Sequence, residues 1–292
     1  MSITNLDPRM LDSEPVQRSA GTRLAMWVRA HTLAFYAGLA MLYMFLPVAV
    51  VVVFSFNKPA GRQNTRWNEF SLDAWFNICR DPTICRAVGV SASIALLATL
   101  VGTILGTMIA FALVRHRFHG RSSTNLLIFL PMATPEVVMG SSLLALFLNM
   151  YWGDWQMPLG FATILIAHIM FVISFVVVAV KARLAGLDPR LEQAAMDLYA
   201  DERTTFRYVT LPLVAPGIAG AALLAFSLSF DDFIITNFNS GSTVTFPMYI
   251  WGAAQRGIPP QVNVIASIMF FGALAIVLIA QANGARRRRA KS

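Results

Sequence analysis

Long apolar runs alternate with short polar segments along the whole chain. Six of these runs hold about 20 or more residues, the length that an α-helix needs to cross roughly 30 Å of hydrocarbon. A buried soluble core does not need runs of this length. We therefore predict an all-α, polytopic membrane protein with six transmembrane helices. The predicted spans cover residues 34–54, 87–114, 125–149, 159–180, 217–238 and 262–283.

Composition supports this division of the chain. Of the residues, 57% are apolar and only 13% are charged, against about 25% charged in a typical soluble domain. We expect no compact soluble domain, and no apolar segment before residue 33 reads as a cleavable signal. The predicted parts are a cytoplasmic tail (1–33), a first span with an external loop (34–86), a transmembrane domain (87–283) that contains a charged loop (181–216), and a basic tail (284–292).

The basic residues predict the orientation. With six spans both termini share one side, and that side holds 17 of the 23 Lys and Arg residues. Because basic loops stay in the cytoplasm, we expect both termini there. The net charge of +8 is explained by loops that face anionic lipid, so we do not expect a nucleic-acid partner.

Motifs for intrinsic catalysis are missing from the sequence. It contains no GxxxxGK[ST] phosphate loop, no HExxH zinc motif and no GxSxG serine elbow. His116 and His119 lie in a basic turn without a nearby Cys or carboxylate. We therefore expect no enzyme activity, no cofactor and no metal site. Cys79 and Cys85 both lie in the external loop, where an oxidising compartment permits a disulfide.

Two adjacent acids, Asp231 and Asp232, fall inside the fifth predicted span. A carboxylate in mid-membrane costs about 2.5–3.5 kcal/mol on insertion scales, so it needs a partner or a cavity. A base on another helix is one explanation, but His168 is the only base inside the spans, so we favour a cationic ligand. Helical phase places Ser229, Asp232 and Thr236 on one polar stripe, which predicts that Asp232 lines a substrate path and Asp231 flanks it.

Three further residues are candidates for the same path. Glu136 follows Pro135 in the third span, where Pro131 and Pro135 can kink the helix and open a cavity. A kink without a ligand role is the alternative. Tyr249 and Trp251 lie near the outer boundary, either in the interfacial aromatic belt or as cation–π partners.

The charged loop has the pattern of two short helices. Asp188 and Pro189 predict a helix start and a helix to about Tyr199, and Asp201 predicts a second N-cap. We expect the second helix to end at Leu211-Pro212. Patterning alone also fits an amphipathic hairpin that merely connects two spans.

The residues of this loop resemble the EAA loop of permease subunits in binding-protein-dependent ABC importers. Gln193-Ala194-Ala195 precedes position 199 by three residues, and Val209-Thr210-Leu211-Pro212 follows nine residues later, where the family has Glu-Ala-Ala, Gly and Ile-x-Leu-Pro. The resemblance implies a type I permease fold, with five core helices plus one preceding helix, and a loop that couples to a separate ATPase. The implied coupling residues are Glu192, Gln193, Ala194, Ala195, Asp197, Leu198, Tyr199, Leu211 and Pro212.

Two positions depart from the family pattern. Gln193 stands where the family has Glu, with Glu192 one residue earlier and rotated by about 100° on the helix. Tyr199 stands where Gly is usual, and Gly adopts a positive φ freely. We therefore predict that Tyr199 makes the turn stiffer or gives it another type.

The last third of the chain is similar to the spermidine/putrescine permease subunits. The similarity lies in SLSFDDFIITNFNSG and in FPMYIWGAAQRGIPPQVNVIASI. It implies transport of polyamines across a bacterial-type plasma (inner) membrane. The implied partners are a second homologous permease, two ATP-binding subunits and an extracytoplasmic binding protein. Alternatives are a permease for another solute (an opine, an amino-acid derivative or an iron chelate), an ion-coupled carrier that binds protons or sodium at Asp231 and Asp232, and a purely structural membrane subunit.

Overall fold

The computed structural model describes residues 20–61, 63–152 and 155–289, so most of the predicted N-terminal tail and residues 290–292 lie outside the described residues. The described part is helical apart from short loops and two small hairpins, in which β1 (Asn57–Lys58) pairs with β2 (Glu69–Phe70) and β3 (Tyr151–Trp152) with β4 (Trp155–Gln156). The helices are α1 (Ala20–Phe54), α2 (Asp73–Phe76), α3 (Pro82–Arg115), α4 (Arg121–Ala133), α5 (Glu136–Leu148), α6 (Phe161–Ala185), α7 (Arg190–Asp197), α8 (Glu202–Thr205), α9 (Leu211–Asp231), α10 (Ile234–Asn239), α11 (Phe246–Arg256) and α12 (Pro260–Arg289).

Within the described residues, five helical segments are long and apolar enough to cross a membrane, and the bent pair α4–α5 makes a sixth. Helix α1 begins at Ala20 rather than near residue 34. Residues 20–33 are therefore helical and continuous with the first span, and the stretch apolar enough to cross a membrane begins at His31. Residues 22–33 contain no glycine or proline that would end this helix. The cytoplasmic tail at 1–33 stays a prediction.

The third span is two helices rather than one. Helices α4 and α5 meet at an angle of 107°. Pro135 causes this break, because it disfavours helical backbone in the preceding residue, and Thr134 is extended with φ −81° and ψ 132°. Pro131 stays inside α4. The predicted kink is thus real, and it is a sharp change of direction at Pro135 alone.

The helical segment of the fifth span begins before residue 217 and ends before residue 238, the two predicted bounds. Helix α8 continues through a π-helical turn, Phe206–Thr210, into α9, so the helical segment runs from Glu202 to Asp231. The prediction that Leu211-Pro212 ends a helix is wrong. Pro212 lies in the first turn of α9, where its missing N–H removes little, and the wider π turn before it joins the two helices.

Helices α3, α6 and α9 form the centre of the bundle, and α5 and α10 complete the main hydrophobic core. Two glycines of α3 allow the close approach of α6. A Cβ at Gly102 would lie 2.6 Å from Val172 Cγ2, and a Cβ at Gly106 would lie 2.7 Å from Val176 Cγ1. Small residues at these positions therefore bring the two backbones together, as is common between membrane helices.

The two ends of the bundle differ. At one end, called the disulfide end here, Cys79 is bonded to Cys85 beside the start of α3. The loop after α1 is folded there, since Asn57 Nδ2 donates to Asn64 Oδ1 (2.6 Å) and Asn64 N–H donates to Ile258 O (3.1 Å). At the other end, called the loop end, α7 and α8 lie against the end of α3 and the start of α9.

Candidate functional site

Two broken helices meet towards the disulfide end. Helix α10, which follows the break in the fifth span, packs on α5, which follows the break in the third. The approach is close at Gly140, where a Cβ would lie 2.9 Å from Phe238 Cδ2 and 3.3 Å from Ile235 Cα. Asn239 Nδ2 also donates to Gly140 O at 3.3 Å. The carboxylates that the sequence singled out stand at these two breaks.

Asp232 follows the last residue of α9, and its side chain caps α10. Its Oδ2 accepts hydrogen bonds from Thr236 N–H (2.8 Å) and Thr236 Oγ1–H (2.9 Å). His168 Nε2 lies 3.3 Å from the same oxygen. Residue Asp232 is only 8% exposed. The helix could not continue because Asp232 is extended, with ψ 125°.

This arrangement changes the interpretation of the polar stripe. Ser229, Asp232 and Thr236 do come together as predicted, but around His168 and in the interior rather than along an open path. The phase argument assumed an unbroken helix, and the break removes its basis. Asp231, which is exposed, is therefore a better candidate than the buried Asp232 for a residue that faces a path.

Asp231 and Glu136 are the exposed acids at the two helix breaks, between α9 and α10 and between α4 and α5. Both are exposed residues, and Glu136 is the first residue of α5, where the positive end of the helix dipole stabilises an acid. Glu136, Asp231 and Asp232 lie close enough for electrostatic repulsion between Glu136 and both aspartates. Within the described residues, neither Glu136 nor Asp231 lies within 4 Å of a Lys or Arg nitrogen. Two unneutralised carboxylates thus share one region of the surface.

Trp251 lies beside this region and Tyr249 belongs to the disulfide end. The Trp251 ring is 5.2 Å from the ring of Phe233, next to Asp232, and residue Trp251 is 58% exposed. Tyr249 Oη–H donates to Asp81 Oδ2 at 3.0 Å, on the wall of a cavity of about 660 Å³. The hydrogen bonds from Thr83 keep the pKa of Asp81 below its ordinary value. Burial and the bond to Asp81 raise the pKa of Tyr249 to about 12.

The charged loop forms the two predicted helices with shifted ends. Asp188 Oδ1 accepts from Arg190 N–H at 2.9 Å, so α7 begins one residue later than predicted, and it ends at Asp197. Asp201 Oδ1 accepts from Thr204 N–H at 3.0 Å, as expected of the second N-cap. The coupling candidates in and after α7 differ in exposure: Gln193, Ala194, Asp197, Leu198, Tyr199 and Pro212 are exposed, whereas Glu192, Ala195 and Leu211 are half-buried.

Tyr199 takes the backbone conformation of the glycine that it replaces. Its φ is +64°, the only positive φ at a non-glycine residue in the described part of the chain. Of the two predicted outcomes, another turn type is wrong, because this φ is one that glycine adopts freely. A stiffer turn stays a prediction. The side chain is fully exposed, so no contact within the described chain compensates for a conformation that costs most residues about 1–2 kcal/mol.

Glu192 is bound inside the protein. Its Oε1 accepts from Arg115 Nη2 at 2.6 Å and from Thr210 Oγ1 at 2.8 Å. The side chains of Arg115 and Glu192 are 25% and 22% exposed. The carboxylate therefore joins α7 to the end of α3 and to the π turn before α9, beside a groove of about 610 Å³.

The sequence reasoning missed three contributors. Neither Arg115 nor Asp81 was among the candidate residues predicted from the sequence. His168 was recognised as a polar residue between helices, but its link to Asp232 was set aside in favour of a ligand. The signal for that link was available, because His168 is the only base within the predicted spans.

Comparison with known proteins gives consistent results. A family model described as "Binding-protein-dependent transport system inner membrane component" matches residues 102–289. The spermidine/putrescine transport system permease protein PotC of Haemophilus influenzae is 36% identical over 240 residues, which cover 82% of this chain and 91% of that protein. The putrescine transport system permease protein PotI of Escherichia coli is 36% identical over 242 residues, covering 82% and 85%.

A solved structure gives the same fold. A bacterial ABC transporter involved in the import of the acidic polysaccharide alginate contains a chain that superimposes with a TM-score of 0.63 at 17% identity. The superposition covers 91% of this chain and 99% of that one. At this identity the likeness concerns the fold alone.

Proposed function

Because the chain belongs to the family of inner membrane components of binding-protein-dependent transport systems, we propose that it is the permease subunit of an ATP-driven importer of polyamines such as spermidine and putrescine. The fold is that of a type I ABC permease with multiple spans in the inner membrane, and such a subunit is not itself an enzyme. The observation that carries the substrate proposal is the pair of exposed carboxylates, Glu136 and Asp231, at adjacent helix breaks without a basic partner among the described residues.

The chemistry of this pair suits an organic polycation. An uncompensated carboxylate within a span is unfavourable in a low-dielectric environment, and a passing ammonium group relieves that cost. In this proposal Asp231 and Glu136 bind ammonium groups of the substrate. Trp251 offers an exposed aromatic face beside them for a cation–π contact. In the interior, Asp232, Ser229 and Thr236 contact His168 and fix the backbone beside the site. Tyr249 is hydrogen-bonded to Asp81 at the disulfide end.

The two ends of the bundle support the orientation with both termini in the cytoplasm. Disulfides form in oxidising compartments, so the Cys79–Cys85 bond suits the outer face. Helix α3 runs for 34 residues from that end to Arg115, about 51 Å at 1.5 Å per residue. Its other end, which contacts the coupling loop, therefore lies on the inner face in this proposal.

The partners follow from the family. An importer permease of this kind works with an ATPase and a substrate-binding protein. We propose one second homologous permease, two ATP-binding subunits and one extracytoplasmic binding protein. The surface that meets the ATPase is the exposed side of α7 with the tip of the loop, Leu198 and Tyr199, which are 82% and 100% exposed.

The test is uptake of labelled spermidine and putrescine into vesicles that carry the whole complex, with the binding protein and internal ATP supplied. We expect saturable, ATP-dependent uptake. Asp231→Asn and Glu136→Gln should each weaken it about 10- to 100-fold, the range expected when a charged hydrogen bond is lost. Glu69→Gln is the matched control, because Glu69 is an exposed carboxylate on the disulfide end with only a 3.9 Å contact to Lys58.

The outcomes separate the alternatives. Uptake that persists without ATP and follows a proton or sodium gradient would indicate an ion-coupled carrier. If the ATPase of the complex responds to the binding protein but neither amine is taken up, the permease assignment stands and the polyamine assignment is refuted. Normal uptake by both acid variants would remove Glu136 and Asp231 from the path while leaving the substrate assignment intact.

A further inference from the structure

A single buried side chain holds both sides of the break in the fifth span. His168 extends from α6 and is 2% exposed. Its Nδ1 lies 2.8 Å from Ser229 Oγ, in the last turn of α9. Its Nε2 lies 2.9 Å from Thr236 Oγ1, in α10, and 3.3 Å from Asp232 Oδ2, at the break itself. One imidazole ring thus contacts the chain before, at and after the break.

The contacts explain why the two adjacent aspartates face different surroundings. Ser229 lies two residues before Asp231 and Asp232 lies directly after it, and both are held inward by the His168 ring. With its neighbours fixed in the interior, Asp231 is turned to the exposed side. The orientation of the exposed acid is thus set by a residue that it does not contact through any hydrogen bond or ion pair in the described chain.

The same helix anchors the other end of α10. Thr163 Oγ1, one turn before His168 on α6, donates to Asn239 O at 2.7 Å. Asn239 in turn donates to Gly140 O of α5. Helix α10 is therefore fastened to α6 at both of its ends and packs on α5, the helix that begins with Glu136. Helix α10 consequently connects the end of α9, where Asp231 lies, to α5, which begins with Glu136.

We infer that His168 is a positioning residue for transport: by joining Ser229 to Asp232 and Thr236 across the break, it fixes α10 and sets the geometry of the acid pair Glu136 and Asp231. The functional half of this inference rests on the proposed function. The residue acts through Asp231 and does not itself contact substrate. Asp232 and His168 thus share a structural role that is separate from substrate binding.

The test is a double-mutant cycle in the reconstituted complex. His168→Leu keeps the approximate volume and removes both ring nitrogens, and we expect it to raise the half-saturating spermidine concentration about tenfold. The basal ATPase rate should stay within about twofold. In an Asp231→Asn background, the same substitution should change the half-saturating concentration by less than about twofold, because the acid that His168 positions is already absent.

His168→Gln is the conservative variant, since its amide still offers a donor to Asp232 and Thr236. We expect it to recover most of the wild-type half-saturating concentration. If the leucine variant does not assemble, His168→Ala takes its place in the cycle. An equal effect of the His168 substitution in both backgrounds would overturn the inference, because a general loss of packing does not depend on Asp231.

A second measurement separates this inference from the substrate proposal. Hydrogen exchange of the amides of residues 232–239 needs no substrate. We expect exchange there to be at least about tenfold faster in His168→Leu, and unchanged in the control Ser174→Ala, which alters another buried polar residue of α6. If the wild-type complex moves neither amine, the proposed function fails alone, and unchanged exchange in His168→Leu would then overturn the positioning role.

Discussion

Removal of the guanidinium of Arg115 should uncouple ATP hydrolysis from transport. Arg115 Nη2 donates to Glu192 Oε1 at 2.6 Å, and both side chains are about three-quarters buried. A hydrogen bond to a charged group contributes about 1.5–3 kcal/mol when shielded, and an exposed ion pair contributes about 0–1 kcal/mol. At this exposure we expect Arg115→Met to weaken the docking of α7 on α3 by about 1–2 kcal/mol, a factor of about 5–30 in the equilibrium between docked and undocked loop.

The assay is the number of solute molecules taken up per ATP hydrolysed, measured in vesicles with the complete complex. If α7 transmits movement to α3 through this contact, as the coupling proposal requires, the ratio should fall while the basal ATPase rate remains. Arg190→Met is the control, since Arg190 is an exposed arginine at the start of the same helix.

A double-mutant cycle with Glu192→Gln decides the mechanism. If the two side chains act through each other, Arg115→Met should cost much less in the Glu192→Gln background, with an interaction energy of about 1 kcal/mol or more. Strictly additive effects would refute the reasoning, and would indicate that Arg115 acts through the groove or through lipid.

Three other changes should have measurable consequences for stability. Gly106→Ala places a methyl group 2.7 Å from Val176 Cγ1, and we expect it to destabilise the complex by about 1–3 kcal/mol; Val176→Ala should restore most of the loss in thermal unfolding. Tyr199→Gly should raise the melting temperature, since it relieves a positive φ of +64° worth about 1 kcal/mol. Replacing Cys79 and Cys85 by Ala should cost about 2 kcal/mol for a loop of this length, and a membrane-impermeant reductant added outside should have the same effect.

For each of these three stability predictions, one result would contradict the reasoning. A Gly106→Ala variant that unfolds at the wild-type temperature would mean that α3 and α6 separate without cost. A Tyr199→Gly variant that is more stable but couples poorly would assign the tyrosine ring to the ATPase contact. Sensitivity to reductant only from the side of the ATPase would reverse the proposed orientation.

Much of the fold could be predicted from the sequence, because membrane insertion depends on quantities that are local in the chain. Length and apolar content locate the spans, and caps such as Asp201 locate helix starts. The break at Pro135 was foreseeable for the same reason, since proline acts on its immediate neighbours. Only its size, 107°, depends on what the two halves pack against.

The break at Asp232 could not be predicted in this way. No proline or glycine lies between Ser229 and Asn239, and the local sequence is compatible with a continuous helix. At the break, the local cap from Asp232 to Thr236 N–H is joined by contacts to His168, which is distant in the sequence. Phase arguments assume regular geometry, so they gave the correct members of the buried cluster but the wrong surroundings for it.

The π turn before α9 shows the same limit at the other end of the span. Phe206–Thr210 was correctly expected to be helical, yet Leu211-Pro212 was expected to end the helix. A proline ends a helix only if the turn before it cannot adjust, and here the wider turn accommodates it. It also directs Thr210 Oγ1 to Glu192, so the irregularity serves a contact that only the folded loop reveals.

The three acids near the broken helices are best understood as two different kinds of group. Asp232 is buried and has four polar contacts, so its carboxylate oxygens are satisfied by partners within the chain. Asp231 and Glu136 have no basic partner within the described residues and are exposed. A site that must release its ligand cannot compensate its charges permanently, whereas a site that must keep its shape has to. In the proposed site, adjacent residues meet both needs, because Asp231 is exposed and Asp232 is buried where α9 ends.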